Sequence, residues 1–272
     1  MDNRPIGVFD SGLGGLTAVS ELRRVLPGES VIYFGDTARI PYGTRSPDTI
    51  RKYALQDIRF LSGFDIKAII AACGTVSTTV LDDIAGESAL PLMGVVEPAA
   101  RRAAALTKKR RIGLIGTQAS VRSGTYERYI KKSMPDAEVV AAACPLFVPI
   151  VENGHFSIGD PLAELLAEEY LTPLRNAEVD VLILGCTHYG LLSDVIGNFM
   201  GDNVTLVSPG AEAARGIAEL LSAKDSLANP DCEPSYRYFV SDSPSDFARH
   251  ATLFLERDMS GIVAEKVDIE KY

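Results

Sequence analysis

The sequence predicts an α/β fold with two pseudo-symmetric lobes, each a mostly parallel sheet flanked by helices. Short apolar runs alternate with segments of helical periodicity along the 272 residues. The apolar runs are continuous rather than alternating, which is typical of strands buried on both faces. The arrangement also occurs twice, since each half has a strand that ends in a small-residue turn and a later strand that ends in cysteine. We therefore expect two lobes that face each other across a cleft.

Six apolar runs are predicted as strands because each leads into a Gly-, Ser- or Thr-rich turn. They cover residues 6–9, 31–34, 67–72, 111–115, 139–141 and 179–184. Helical periodicity predicts helices over residues 16–25, 46–61, 76–84, 97–105, 125–132, 161–174 and 211–222. This alternation of strand and helix predicts helices on both faces of each sheet.

Composition and charge exclude several classes of protein. The formal net charge of -9 argues against a general nucleic-acid binder, which would normally carry a basic face. The first residues lack the apolar core of a signal peptide, and no apolar run is long enough to span a bilayer. We therefore expect a soluble cytoplasmic protein that binds neither nucleic acid nor membranes.

The cysteines and histidines do not form a metal or disulfide motif. They are Cys73, Cys144, Cys186, Cys232, His155, His188 and His250. Because the spacing contains no CxxC pair and no zinc pattern, neither a metal site nor a disulfide framework is expected. Cys144 and Cys232 are expected to be structural or incidental, and no role is predicted for His155 or His250.

Several polar residues follow predicted strands, where ligands bind in an open parallel sheet. They are Asp10, Ser11, Cys73, Thr75, Cys186, Thr187 and His188. The glycine-rich turn of residues 10–15 leads into a helix, so its amides could bind a carboxylate. Cys73 and Cys186 precede helices or turns, and a helix N-terminus is expected to lower a thiol pKa below about 8.5.

Each of these residues also has a structural interpretation. A single cysteine after a buried strand more often packs in the core. Asp10 or Ser11 could cap a helix, and His188 could be a structural histidine. Two cysteines at corresponding turns, one followed by a threonine and a histidine, favour a functional site.

A dinucleotide-binding protein is the strongest rival from another class. A strand–Gly12-x-Gly14–helix unit is followed by Asp36 at the end of a second strand, where a ribose-binding acid belongs. However, Thr17 stands where the third glycine is expected. This interpretation also leaves the two cysteines unexplained.

The chain resembles the glutamate racemases, within the aspartate/glutamate racemase superfamily, over nearly its whole length. Five segments carry the resemblance together: residues 10–15 (DSGLGG), 33–39 (YFGDTAR), 41–46 (PYGTRS), 152–154 (ENG) and 184–189 (LGCTHY). The resemblance implies an enzyme without metal, nucleotide or pyridoxal phosphate that interconverts L- and D-glutamate for peptidoglycan synthesis. It implies an active site between two lobes, formed by residues 1–97 with 208–272 and by residues 98–207. Family members are often dimers, so a homodimer is possible.

The resemblance also implies roles for individual residues. Cys73 and Cys186 would be the catalytic thiols, one on each face of the substrate α-carbon. Asp10 would assist Cys73, while His188 would assist Cys186 with support from Glu152. The substrate would be held by Asp10, Ser11, Pro41, Tyr42, Gly43, Gly74, Thr75, Thr187 and His188.

Two thiols suit racemisation, because one proton must leave one face of the α-carbon while another returns to the opposite face. Without a cofactor as electron sink, the carbanion-like transition state depends on preorganised donors and on exclusion of water.

One position departs from the family, whose first cysteine motif usually reads Cys-Asn-Thr, whereas this chain has Gly74 between Cys73 and Thr75. The asparagine amide ordinarily binds substrate, and a water could take its volume here. We therefore expect Gly74 to weaken glutamate binding or to admit another acidic amino acid such as aspartate, so that Gly74→Asn would raise kcat/KM. A related racemase or lyase, or a non-catalytic amino-acid binder, stays open.

Overall fold

The strands form two sheets in a computed structural model that describes residues 1–255 and 262–272. One sheet has the order β10-β9-β2-β1-β3-β4 and the other β6-β5-β7-β8. Every registered strand pair within the described residues is parallel. The strands are β1 (Ile6–Asp10), β2 (Val31–Gly35), β3 (Ala68–Ala71), β4 (Leu92–Gly94), β5 (Arg111–Gly116), β6 (Glu138–Ala143), β7 (Val181–Leu184), β8 (Thr205–Val207), β9 (Tyr236–Val240) and β10 (Ala264–Lys266).

Helices connect the strands, as parallel pairing requires. They are α1 (Leu16–Val25), α2 (Pro47–Ser62), α3 (Gly74–Thr79), α4 (Leu81–Ile84), α5 (Val96–Leu106), α6 (Gln118–Ser123), α7 (Thr125–Ser133), α8 (Phe147–Glu152), α9 (Pro161–Asn176), α10 (Ser193–Met200), α11 (Pro209–Ala223) and α12 (Pro244–Phe254). Ser46, Asp160 and Ser208 cap α2, α9 and α11 with side-chain oxygens, and each of these helices has proline in its first turn.

The predicted α/β class and its two parallel sheets are confirmed. All six predicted strands are present, and β1, β2, β3 and β7 are buried at every position. This burial on both faces is why their apolar runs are continuous. The predicted helix over residues 76–84 is instead two helices, because Val80 has φ −135° and leaves the helical region.

Among the residues that the structure describes, four strands and four helices were not predicted. Three of these strands, β4, β8 and β10, have only three residues each, which is too short to show a period. Strand β9 pairs with β2, and β10 pairs with β9, so the C-terminal part of the chain joins the sheet formed by its beginning.

The two sheets place the ends of their central strands toward a shared cleft. We call the elements around the six-stranded sheet the first lobe and those around the four-stranded sheet the second lobe. The exact division at residues 97/98 and 207/208 stays a prediction. Within the part of the chain that the structure describes, no helix is long and apolar enough to cross a membrane.

Candidate active site

A cavity of about 240 Å³ lies between the lobes, at the carboxyl ends of β1, β3, β5 and β7. All but one of the predicted site residues line it: Ser11, Pro41, Tyr42, Gly43, Cys73, Gly74, Thr75, Glu152, Cys186, Thr187 and His188. The exception is Asp10, which is 1% exposed and is not among the lining residues. Both thiols therefore reach one cavity, and each comes from a different sheet.

Cys73 follows β3 directly and is the N-cap residue of α3. Its Sγ donates to Ser11 Oγ at 3.6 Å. Burial, together with the charge of Asp10, raises the pKa of Cys73 from 9.0 to about 12. The expectation that a helix N-terminus would lower the pKa is therefore wrong for Cys73. The backbone hydrogen bonds at the start of this short helix do not offset the loss of water around a thiolate.

Asp10 is the last residue of β1 and is buried. Its Oδ2 accepts from the backbone N–H of Gly12 at 2.9 Å, while its Oδ1 has no hydrogen-bond partner among the described residues. Burial raises the pKa of Asp10, although the charge of His188 and three backbone N–H groups oppose that effect. Asp10 thus influences Cys73 through charge, whereas Ser11 makes the direct contact.

Cys186 and His188 form the opposite wall with Glu152. His188 Nδ1 lies 3.9 Å from Cys186 Sγ, and its Nε2 lies 3.1 Å from Glu152 Oε1. Burial disfavours the imidazolium, but the hydrogen bonds with Cys186 and Glu152 outweigh it and raise the pKa of His188 from 6.5 to about 10. At neutral pH, both ring nitrogens of His188 therefore carry protons, and each can donate to its partner.

The loop that contains Pro41, Tyr42 and Gly43 is held from behind by buried charges. The hydroxyl of Tyr42 donates to Asp36 and, at 3.3 Å, to Asp57. Arg39 Nε donates to Asp36 Oδ2 at 2.6 Å. This arrangement fixes the loop that borders the cavity.

The same contacts remove the basis for the dinucleotide-binding rival. Asp36 is completely buried, and Ser241 Oγ donates to its Oδ1 at 2.7 Å while Arg39 and Tyr42 bind its Oδ2. The carboxylate is therefore occupied by protein donors and is not available to a ribose.

Thr117 is a lining residue that was not predicted. It follows β5, caps α6, and its Oγ1 lies 3.3 Å from Thr75 Oγ1 across the cleft. The strand-turn pattern over residues 112–117 was a usable signal, because it matched the turn after β1.

Cys144 also lines the cavity but is buried, with its Sγ donating to the carbonyl of Ala142 at 3.7 Å. Burial raises the pKa of Cys144, which favours the neutral thiol, and the structural role expected for it stays a prediction.

The remaining cysteine and histidines lie elsewhere. Cys232 is exposed, and its sulfur accepts from the side chain of Asn3. His155 pairs with Asp160, and His250 bonds to a backbone carbonyl of its own helix. Among the residues that the structure describes, no group of three or more His, Cys, Asp or Glu side chains is placed to hold a metal ion.

Comparison with known proteins agrees with this geometry. Residues 16–217 match the Asp/Glu/Hydantoin racemase family. The chain belongs to this family. This racemase is similar to a glutamate racemase from Geobacter metallireducens, with 45% identity over 268 residues that cover 98% of each chain. It is also similar to one from Streptococcus pneumoniae, with 42% identity over 95% of this chain and 97% of the relative.

Solved structures show the same likeness. A glutamate racemase isoform from Bacillus anthracis has a TM-score of 0.92 and 36% identity over 98% of both chains. The Francisella tularensis glutamate racemase in complex with D-glutamate has a TM-score of 0.90 and 39% identity over both entire chains. Because racemases are isomerases, this racemase is an isomerase.

The alternatives of aspartate racemisation and dinucleotide binding are not supported. The aspartate racemase of Picrophilus torridus is 17% identical, with a TM-score of 0.56, and this likeness shows the fold alone.

Proposed function

We propose that this racemase interconverts L- and D-glutamate, with Cys73 and Cys186 as the acid and base. One observation carries the proposal: two free thiols, placed at corresponding strand ends of the two sheets, line a single cavity of about 240 Å³. Glutamate as the substrate is supported by relatives of 40% to 45% identity that are named glutamate racemases.

The surroundings of the thiols suggest a resting state. His188, whose pKa is raised to about 10, lies beside Cys186, with Nδ1 3.9 Å from Sγ, so it can exchange a proton with that sulfur. The pKa of Cys73 is raised to about 12, so Cys73 rests as the thiol. We therefore assign Cys73 as the resting acid, which leaves Cys186 as the resting base.

The proton transfers follow from this assignment. The Cys186 thiolate takes the α-proton, and the electron pair of the broken C–H bond delocalises into the α-carboxylate. The S–H bond of Cys73 then breaks, and its proton adds to the opposite face of the α-carbon. Cys186 ends as the thiol and Cys73 as the thiolate. This is the protonation state that acts on the opposite enantiomer of glutamate. Asp10, buried near Cys73, would favour the return of a proton to the Cys73 thiolate through its negative charge.

Donors around the cavity would stabilise the charge that develops. Ser11, Thr75, Thr117 and Thr187 place hydroxyl groups in the walls. Hydrogen bonds to a carboxylate that gains charge are strongest when the donors are fixed in advance and water is excluded. Thr117 donates its hydroxyl proton to Ser120 Oγ and lies 3.3 Å from Thr75 Oγ1, so it would hold the Thr75 hydroxyl in place.

We also propose the setting of the reaction. D-glutamate from this enzyme would serve peptidoglycan synthesis in the cytoplasm, and the reaction would need no cofactor. Glutamate would be the small-molecule partner, without nucleic acid or membrane, and the enzyme could act as a homodimer. Residues 1–97 with 208–272 would form one lobe and residues 98–207 the other.

The test is incubation of each glutamate enantiomer in deuterated water with the purified wild type. Solvent deuterium should enter the α-position while the optical rotation decays. Cys73→Ala and Cys186→Ala should each abolish racemisation, because a single base serves only one face of the α-carbon. Cys232→Ala, which removes an exposed thiol outside the cavity, should keep wild-type rates. Folded wild type that neither exchanges nor racemises glutamate would overturn the proposal.

A further inference from the structure

Three glycines of the first lobe lie directly against residues of the second lobe. A Cβ atom on Gly14 would overlap the side chain of Thr187, and one on Gly43 would lie 3.2 Å from Thr117 Cβ. A Cβ atom on Gly74 would lie 2.6 Å from the carbonyl oxygen of Gly185, which is backbone. The Gly74 contact is therefore the one made directly with the backbone of the second lobe.

The second lobe cannot yield locally at Gly185. Its N–H donates to the carbonyl of Ile115 at 2.7 Å, in the neighbouring strand. A Cβ atom on Gly185 would itself lie 2.6 Å from that carbonyl oxygen, so the peptide is packed on both sides. Moving the Gly185 carbonyl away from Gly74 would therefore disturb the hydrogen bonding between the ends of β5 and β7.

The first lobe is equally fixed at Gly74, which is buried at the start of α3. Its carbonyl accepts from Thr78 Oγ1 at 2.9 Å, and the carbonyl of the preceding Cys73 accepts from Ser77 N, also at 2.9 Å. Because both backbones are held within their own lobes, an added Cβ atom at residue 74 would have to separate the lobes.

We infer that Gly74 is a positioning residue that sets how closely the lobes approach at the two thiols. The inference rests on the proposed function, since it concerns the spacing of the proposed acid and base. Cys73 immediately precedes Gly74, and Cys186 immediately follows Gly185, so the two backbones touch one residue away from each sulfur. A wider contact at this point moves one thiol away from the α-carbon or from its partner.

This geometry reverses the expected effect of Gly74→Asn. A side chain at residue 74 would leave the backbone toward the Gly185 carbonyl and not into open space. The asparagine would therefore hold the lobes apart, and this loss of closure would outweigh any contribution of its amide to glutamate binding. We expect lower activity from Gly74→Asn, and the same direction from the smaller change Gly74→Ala.

The test compares Gly74→Ala and Gly74→Asn with Gly86→Ala, a matched control. Gly86 lies in the first lobe, is exposed, and has open space where its Cβ would be. Steady-state kinetics with both glutamate enantiomers should show kcat/KM falling about 10- to 100-fold in the Gly74 variants, mainly through kcat. Alkylation of Cys73 and Cys186 by iodoacetamide, measured by peptide mass spectrometry, should be several-fold faster in the Gly74 variants than in the wild type. The reason is that Cys73 is only 4% exposed in the closed cavity of the wild type. Gly86→Ala should change neither measurement.

The outcomes separate this inference from the proposed function. A wild type without glutamate racemisation would defeat the proposed function, while the alkylation rates would still report on lobe closure. An active wild type whose Gly74 variants match Gly86→Ala in kinetics and alkylation would overturn the inference. Loss of the folded state in both variants, seen by circular dichroism, would also overturn it, because a clash between lobes should separate them without unfolding either.

Discussion

The charge of Glu152 can be removed without changing the shape of its side chain. Glu152 Oε1 lies 3.1 Å from His188 Nε2, and this contact is one of two that raise the pKa of His188 to about 10. Glu152→Gln keeps a hydrogen-bond acceptor at that place but removes the negative charge. We therefore expect the pKa of His188 to fall.

The size of the change follows from the geometry. An opposite charge at this distance shifts a pKa by about 1–3 units. The Glu152 side chain is 36% exposed, so solvent screening places the effect at the lower end, about 1 unit or ~1.4 kcal/mol. Because the protonated form of His188 is the one that can donate to Cys186, the basic limb of the pH–rate profile should move down by about the same amount.

The assay is kcat/KM for D-glutamate between about pH 7 and pH 10, followed by circular dichroism. The informative quantity is the ratio of Glu152→Gln to wild type, because titration of the substrate amino group cancels in it. This ratio should fall by about fivefold between pH 7 and pH 10. Glu168→Gln, which neutralises an exposed carboxylate of α9, should give a ratio that does not change with pH. A pH-independent ratio for Glu152→Gln would refute the role assigned to this charge.

The same pair predicts a pH dependence of stability. The pKa of His188 is higher in the folded chain than its ordinary value of 6.5. Its stabilising contribution is therefore fully present below pH 6.5 and is lost as the pH rises through about 10. The difference in Tm between wild type and Glu152→Gln should accordingly be larger at about pH 6 than at about pH 10.5.

Two buried charge networks outside the cavity give further predictions, both checked by urea unfolding. Burial and the charge of Asp36 raise the pKa of Asp57 well above 3.8 and so disfavour its charged form, and Asp57→Asn should therefore cost less than about 1 kcal/mol. Arg39→Met should cost about 3–5 kcal/mol, because it leaves buried Asp36 without its cation; equal losses in the two variants would contradict this account. Lys67→Met should also cost about 3–5 kcal/mol, since Lys67 Nζ lies 2.6 Å from the buried carboxylate of Glu29. Adding Glu29→Gln should recover part of that loss, and no recovery would show that the unpaired charge is not the cause.

Much of the site could be predicted because its residues follow strands. The runs that end before Asp10, Cys73 and Cys186 are continuously apolar, and that pattern is local in the sequence. Parallel strands bring their carboxyl ends to one edge, so the residue after each run falls at the cleft. Thr117 obeys the same rule after β5 and could have been predicted with the others.

Other parts of the fold depend on contacts between distant segments. The strand β9 joins β2 although about 200 residues separate them, and its apolar run is interrupted by the exposed Arg237. Which neighbour a strand pairs with depends on packing and not on its own propensity. For the same reason, the sequence did not indicate that Asp36 would be occupied by Arg39, Tyr42 and Ser241.

The sequence by itself determined the α/β class and the places of the two thiols at matching strand ends. Both follow from helical periodicity and from continuous apolar runs, which are patterns among neighbouring residues. Only the tertiary structure decided the protonation of Cys73 and how closely the two lobes approach beside the thiols. The pKa of Cys73 rises because the folded chain buries it beside Asp10. The approach of the two lobes depends on Gly74 meeting Gly185 from the opposite lobe. Both effects arise from burial and from contacts between residues far apart in the chain, which no local pattern records.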